Sequence, residues 1–447
     1  MRAEKILIIG AGLSGSLMAA FLAKKNYEVT LIEARNDMRN IEYKGGRSIN
    51  LALSHRGLKA LAKMELSDAI LRHAVPMLGR MMHSTDGRLH YAPYSTNADE
   101  YINSISRAEL NEILLSTAEN SQNVSIFFDE KCVRANIETG EAWTSSDSRP
   151  DGELKAWKAD IILGTDGANS ALRDGFPAVV ADFKSTTQWE SHGYKELTIL
   201  PTENGGFRMD KTALHIWARQ TYMMIALPNH DGSFTCTLFM PMEGENSFEE
   251  LNTDEKIHEF FAAHFADALP LVPDLLAQWA RNPVGRLGTL RCNAYSYANK
   301  AALMGDAAHA IVPFYGQGMN ASFEDCLCLD NLLEQYNHDW AKVLAAYQNQ
   351  RKPNSDAIAT LAQENFIEMR DHVANPIFVR KRQLELAIEQ AYPDYHSKYA
   401  LVTFHPEVPY TEAHRRGNAQ DALLMDICSQ ENPDLDLVQI YKRLSEI

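Results

Sequence analysis

The sequence predicts an α/β chain in which a Rossmann-type nucleotide-binding domain is interleaved with a β-sheet domain and followed by C-terminal helices. Three observations predict it. Residues 6–9 form a short, wholly apolar strand that runs into Gly10-Ala-Gly12-Leu-Ser-Gly15 and then a helix over 14–25. Between residues 184 and 242 the pattern changes to longer strands. A second apolar strand ending in glycine and acid, over 301–306, comes late, after the sheet-like region has intervened.

A chain of 447 residues has room for two or three domains, or for one interleaved pair with a sizeable core. Hydrophobic residues at 45% and charged residues at 23% describe an ordinary globular protein. The net charge of -16 argues against a non-specific nucleic-acid binder and against a basic membrane-surface protein. Six cysteines are scattered, and the close pair Cys326 and Cys328 has no partners at zinc spacing, so no metal site is expected and the thiols suit a reducing compartment. Residues 6–23 are apolar, but Gly10, Gly12 and Gly15 interrupt them and no cleavage pattern follows. No stretch is long enough to cross a bilayer, and a soluble, cytoplasmic protein is expected.

The first strand is apolar on both faces, which suits a central parallel strand. Gly10, Gly12 and Gly15 then supply a tight turn, close approach to a pyrophosphate and helix-to-strand packing, while a second strand over 29–32 ends at Glu33, placed for ribose hydroxyls. The glycine-rich run 45–54 reads as a strand or loop crossing a cofactor, and in that setting Arg47 allows close ligand approach. Ser106 is placed to cap a helix over 108–120. Arg107 in its first turn opposes the helix dipole, which points to an anion nearby.

A buried strand over 160–163 is closed by Gly164-Thr-Asp166-Gly167. Strands over 222–227 and 234–240 flank Asn229-His-Asp-Gly232, a hairpin signal. Helices are expected over 254–281, 339–390 and 434–444. Asp306, at the carboxyl end of its strand, can accept bonds from a sugar hydroxyl, and the amides of 317–320 at the mouth of the next helix can face an anion. The resulting division is a nucleotide-binding domain of residues 1–75, 101–180 and 285–340, a substrate domain of 76–100 and 181–284, and a helical region of 341–447.

GxGxxG first, Asp166-Gly167 in the middle and Gly305-Asp306 late resemble the single-component flavin aromatic hydroxylases of the para-hydroxybenzoate hydroxylase type. In that group the first and last motifs bind FAD, and the middle motif serves both FAD and the nicotinamide donor. A closer resemblance lies in Gly46-Arg-Ser-Ile-Asn-Leu-Ala-Leu-Ser54, Ser104-Ile-Ser-Arg107, Val312-Pro-Phe-Tyr-Gly-Gln-Gly-Met-Asn320, Asn365-Phe-Ile-Glu-Met-Arg370 and Tyr399-x-x-Val-Thr-Phe404. These are similar to the kynurenine 3-monooxygenase family, from residue 1 to about 404. The resemblance implies non-covalent FAD held by Gly10, Gly12, Leu13, Gly15, Glu33, Arg35, Ala52, Arg107, Asp166, Asp306, Gly318, Met319 and Asn320. It implies a kynurenine site of Arg80, Tyr94, Phe314, Asn365 and Tyr399. It also implies NADPH and O2 as co-substrates and reaction through a flavin hydroperoxide. Eukaryotic members carry a C-terminal membrane anchor, whereas residues 431–447 here are largely polar.

The chemistry agrees with that implication. Kynurenine needs a carboxylate clamp, which Arg80 offers as a planar two-pronged donor, and a dry apolar pocket for its ring. An aniline ring is already electron-rich, so no general base is assigned. Two other readings share the nucleotide motifs. One is a hydroxylase of another aromatic acid, separated by Arg80, Tyr94, Asn365 and Tyr399. The other is an FAD-binding sensor or scaffold without turnover.

Overall fold

In the computed structural model, residues 4–40, 50–150, 152–368, 376–431 and 435–447 are described. Arg47, Met369 and Arg370 lie outside them. A six-stranded sheet carries the order Ser296–Tyr297, Ala301–Leu303, Ile161–Gly164, Lys5–Ile9, Glu28–Ile32, Val124–Phe127. The strands are parallel except for Ser296–Tyr297 at one edge. Lys5–Ile9 is central because Ile6, Leu7, Ile8 and Ile9 are apolar on both faces, and all four are buried. The late strand Ala301–Leu303 pairs directly with Ile161–Gly164. Three distant stretches of chain therefore build one sheet.

A seven-stranded sheet holds Gly285–Cys292, Ser185–Ile199, Phe234–Pro241, Tyr222–Pro228, Ala213–Arg219, Gly79–His83 and Leu89–Pro93 in that order. The expected hairpin is present, with Met224 opposite Leu238. Side chains alternate across a strand, so each strand feeds two cores. Trp217, Met224 and Leu238 pack with Ile257, Phe261 and Leu275 from the helices Asp254–His264 and Leu275–Arg281. Ile216, Met223 and Phe239 face the other way, against Phe314, Phe366, Leu401 and Tyr410. Arg80 pairs in register with Leu214, on the strand that places Ile216 toward this second core.

The expected helical run 339–390 appears as Trp340–Ile367 and Pro376–Ala391, and the last helix is Leu437–Leu444. Two further helices were not expected, Lys398–Thr403 and the long Tyr410–Ser429. A small antiparallel sheet of Lys131–Asn136, Glu141–Ser145 and Lys155–Lys158 was also not foreseen.

Arg56 joins the two ends of the chain. It is 1% exposed, on the helix His55–Lys63. Its Nε donates to the Val402 carbonyl, Nη2 to the carbonyls of Leu401 (2.9 Å) and Val408 (2.7 Å), and Nη1 to Glu324 (2.9 Å). The guanidinium also lies 4.0 Å from the centre of the Tyr410 ring. All six cysteines are free. No helix among the described residues is long and apolar enough to cross a membrane.

Candidate active site

The turn after Lys5–Ile9 assigns a separate task to each glycine. Gly10 has φ +100°, and a Cβ there would lie 2.6 Å from the Thr165 carbonyl oxygen. A Cβ on Gly15 would meet the Gly10 carbonyl oxygen at 1.9 Å, so helix and strand pack backbone to backbone. A Cβ on Gly12 would touch nothing within 4 Å. Space is kept open above Gly12 although the protein does not fill it. No side chain caps the helix Leu13–Lys24, and its first turn holds no acid, so its amides and positive dipole end face that space. Glu33, buried at the end of Glu28–Ile32, accepts from the Ala11 amide (2.8 Å), the Arg35 amide (3.0 Å) and Arg35 Nε (2.7 Å).

The helix Gly318–Gln335 repeats the arrangement. No side chain caps it and its first turn carries no acid, so the amides of Gly318, Met319 and Asn320 remain for a ligand. The Asn320 side chain is engaged elsewhere. Its Oδ1 accepts from the Ser54 amide (3.0 Å), and its Nδ2 donates to the carbonyls of Ala52 and Gly316 (both 2.9 Å). The strand Asn50–Leu53 is thereby tied to the mouth of this helix. Asp306 opens the short helix Asp306–His309 and is exposed. Arg107, at the start of Arg107–Glu119 behind its Ser106 cap, is exposed as well.

A buried charge cluster, unassigned by sequence reasoning, holds the Gly305 turn. Asp325 Oδ2 accepts from the Gly305 amide (2.8 Å) and contacts His309 Nε2 (2.6 Å), while Arg351 Nε donates to Oδ1 (2.6 Å). Burial alone would raise the Asp325 pKa, but the charges of His309 and Arg351 outweigh it and hold it at about 2. Asp166 is engaged through one oxygen only, its Oδ1 being buried without a hydrogen-bond partner. Its Oδ2 accepts from the amides of Ala171 (2.8 Å) and Leu172 (3.4 Å), which turns the carboxylate into its own loop. Burial raises its pKa. Arg173 then ties that loop to the next motif by donating to the Ala307 carbonyl at 3.0 Å.

Arg80, Tyr94 and Tyr399 come together from three elements. The Arg80 guanidinium carbon is 4.6 Å from the Tyr399 ring centre and 5.5 Å from that of Tyr94. Tyr399 lies between two parallel rings, Tyr94 at 5.4 Å and Tyr315 at 5.6 Å. Among the described residues no carboxylate pairs with Arg80, and both its Nε and the Tyr94 hydroxyl are buried without hydrogen-bond partners. Buried polar groups are normally paired, so these orphans mark where a ligand's polar atoms belong. Phe314 stacks on Phe366 at 4.0 Å. Asn365 Nδ2 donates to the Phe314 carbonyl at 2.7 Å and so holds that ring's backbone.

Sequence reasoning missed Tyr315, Phe366 and Arg382. Arg382 donates to the carbonyls of Pro93 (3.2 Å) and Tyr94 (2.8 Å), fixing the end of the strand Leu89–Pro93 and the Tyr94 that follows it. Phe366 and Tyr315 adjoin predicted residues in sequence. Arg382 left no signal.

An open cradle over Gly12, two uncapped helix mouths and a sheet domain between the nucleotide segments define an FAD-dependent monooxygenase of the para-hydroxybenzoate hydroxylase type. Solved structures share this fold. They include 2-methyl-3-hydroxypyridine-5-carboxylic acid oxygenase (TM-score 0.67, 19% identity, covering 87% of this chain and 96% of that one). Another is p-nitrophenol 4-monooxygenase PnpA from Pseudomonas putida DLL-E4 (TM-score 0.66, 18% identity, covering 87% and 94%). The family described as "FAD binding domain" matches residues 3–362. Kynurenine 3-monooxygenase of Myxococcus xanthus is 42% identical over 447 residues, spanning 100% of this chain and 95% of that protein. That of Dictyostelium discoideum is 42% identical, spanning 98% and 95%. The chain belongs to the kynurenine 3-monooxygenase family. The similarity runs through the C-terminal helices, beyond the point near 404 where the recognisable motifs stop.

Proposed function

We propose that this enzyme hydroxylates L-kynurenine to 3-hydroxykynurenine with NADPH and O2, a step of tryptophan breakdown on the route to quinolinate and NAD. The observation that carries the reading is Arg80, an inward-facing guanidinium that no carboxylate among the described residues pairs with directly, set between Tyr94 and Tyr399. An amino acid bearing an aromatic ring supplies what is missing there. Its carboxylate meets Arg80 and the Tyr94 hydroxyl, and its ring lies against the Phe314 and Phe366 stack.

Bound FAD supplies the activation of molecular oxygen. Gly10, Gly12, Leu13 and Gly15 accommodate its pyrophosphate, and Glu33, Arg35, Arg107, Asp166 and Asp306 border the rest of the dinucleotide. Ala52, Gly318, Met319 and Asn320 wall the flavin, with the uncapped amides offering positive charge to it. The aromatic residues orient the substrate ring and keep water out. The aniline ring needs no base, and none of the groups at the site is assigned as one. Residues 1–75, 101–180 and 285–340 are assigned to the FAD-binding domain, 76–100 and 181–284 to the substrate domain and 341–447 to the helical region, although the strand Gly285–Cys292 pairs into the substrate-domain sheet.

The deciding assay is the purified yellow protein with NADPH and kynurenine, measuring 3-hydroxykynurenine and hydrogen peroxide together. Kynurenine-stimulated NADPH oxidation coupled to hydroxylated product is expected. Stimulation that yields only peroxide points to another aromatic acid, and no stimulation points to a non-catalytic flavoprotein.

A further inference from the structure

A separate group of ligand-type side chains lies outside the nucleotide and kynurenine sites. Glu100 precedes the strand Ile102–Ser106, and His396 and His405 flank the helix Lys398–Thr403. One ligand atom from each lies within 4.8 Å of the other two. The side chains of Glu100 and His405 are only 10% and 16% exposed.

The orientation of His405 is informative. Its Nδ1 meets Glu407 Oε1 at 2.8 Å, and an outer carboxylate in that position favours the proton on Nδ1, which would leave Nε2 as the ligand atom. That Nε2 is buried and stands 3.2 Å from Glu100 Oε1, at ion-pair distance. Nε2 and the Glu100 carboxylate at this distance require positive charge between them, which either a proton or a bound cation supplies. The His396 ring packs at 3.8 Å, centroid to centroid, and one of its nitrogens lies within 4.8 Å of the ligand atoms of both Glu100 and His405. Two imidazoles and one carboxylate, with one imidazole oriented by an outer carboxylate, form a donor set for zinc-class cations, whereas calcium and magnesium favour all-oxygen sets.

We propose that Glu100, His396 and His405 bind one divalent cation of the zinc class, with Glu407 orienting His405 and water completing the coordination. The cation joins the segment before Ile102 to the one carrying Tyr399 and Phe404. Phe404 in turn packs edge-on against Tyr94 at 6.3 Å. The site thus braces the aromatic wall from behind without touching the substrate.

The test is calorimetric titration of zinc(II) into the FAD-loaded protein after dialysis against EDTA, with bound metal counted by elemental analysis. One zinc per chain is expected. Affinity should fall at least tenfold in His396→Gln and in His405→Gln, and about 10–100-fold in Glu407→Gln. The Glu407 side chain is 63% exposed, so that variant decides the matter even if a histidine variant fails to fold. Absence of saturable zinc uptake overturns the proposal and leaves a proton on His405 as the bridging charge. Uptake that is unchanged in the variants overturns it equally.

Discussion

Arg80 and Tyr399 face each other with the guanidinium carbon 4.6 Å from the ring centre, and among the described residues no carboxylate completes the pair. A cation over an aromatic face is stabilised by roughly 0.5–2 kcal/mol. That is too little to compensate a buried charge, and Glu368 acts on it only through space, so the proposed site calls for a ligand anion.

Arg80→Ala is therefore expected to raise the kynurenine dissociation constant at least about tenfold. Stranding the partner of a buried charge costs about 2–5 kcal/mol, and each 1.4 kcal/mol is roughly tenfold. Arg80→Lys should recover only part of the loss, because an ammonium lacks the planar two-point contact. FAD content should stay at the wild-type level. Titration of kynurenine followed by flavin absorbance measures all three.

Gly12 and Gly15 separate cofactor binding from folding. Gly12→Ala should fold normally, since its Cβ would meet no protein atom within 4 Å, yet retain little FAD because the methyl group occupies the pyrophosphate's place. Gly15→Ala should fold poorly, because its Cβ would collide with the Gly10 carbonyl. Circular dichroism together with the ratio of flavin to protein absorbance distinguishes the two outcomes.

Asp325→Asn leaves Arg351 and His309 beside a neutral amide in a fully buried setting. Breaking a buried ion pair costs about 3–5 kcal/mol. Urea denaturation should show a loss of that order. The asparagine oxygen can still accept from the Gly305 amide, so a smaller change in FAD affinity is expected.

Acid should destabilise the protein through His215. Burial lowers its pKa to about 4, and its Nδ1 meets His83 Nε2 at 2.8 Å. The folded form stays neutral where the unfolded form, with a pKa near 6.5, takes up a proton. Stability is thus complete above about pH 6.5 and falls as the pH drops toward 4, by at most about 3 kcal/mol from this group. The difference in urea stability between wild type and His215→Gln, measured at pH 4.5 and 7, isolates the contribution. A difference independent of pH would refute it.

Much of this was legible in the sequence, for reasons that also explain the gaps. Residues 6–33 combine an apolar strand, spaced glycines and a terminal acid, and each feature has a single backbone interpretation. The helix Tyr410–Ser429 buries Tyr410, Ala413, Gly417, Gln420, Leu424 and Ile427, a regular helical stripe. Two of its members are a glycine and a glutamine, so apolar periodicity does not reveal it. The identities of Arg80 and Tyr94 followed from resemblance, whereas their orphaned polar atoms could come only from coordinates. The division of Asp166 between local amides on Oδ2 and an unpartnered Oδ1 was hidden as well, because side-chain orientation leaves no mark in sequence.

Arg56 bears on how the molecule comes apart. Its guanidinium draws three carbonyl acceptors from Leu401, Val402 and Val408 and a carboxylate from Glu324. Detaching the C-terminal segment would strand a charge in the interior of the nucleotide-binding half. Partial opening is therefore nearly as costly as complete unfolding, which is the condition for cooperativity. The helices that support Tyr399 and the sheet that carries the glycine turn are expected to melt together, as one thermodynamic unit.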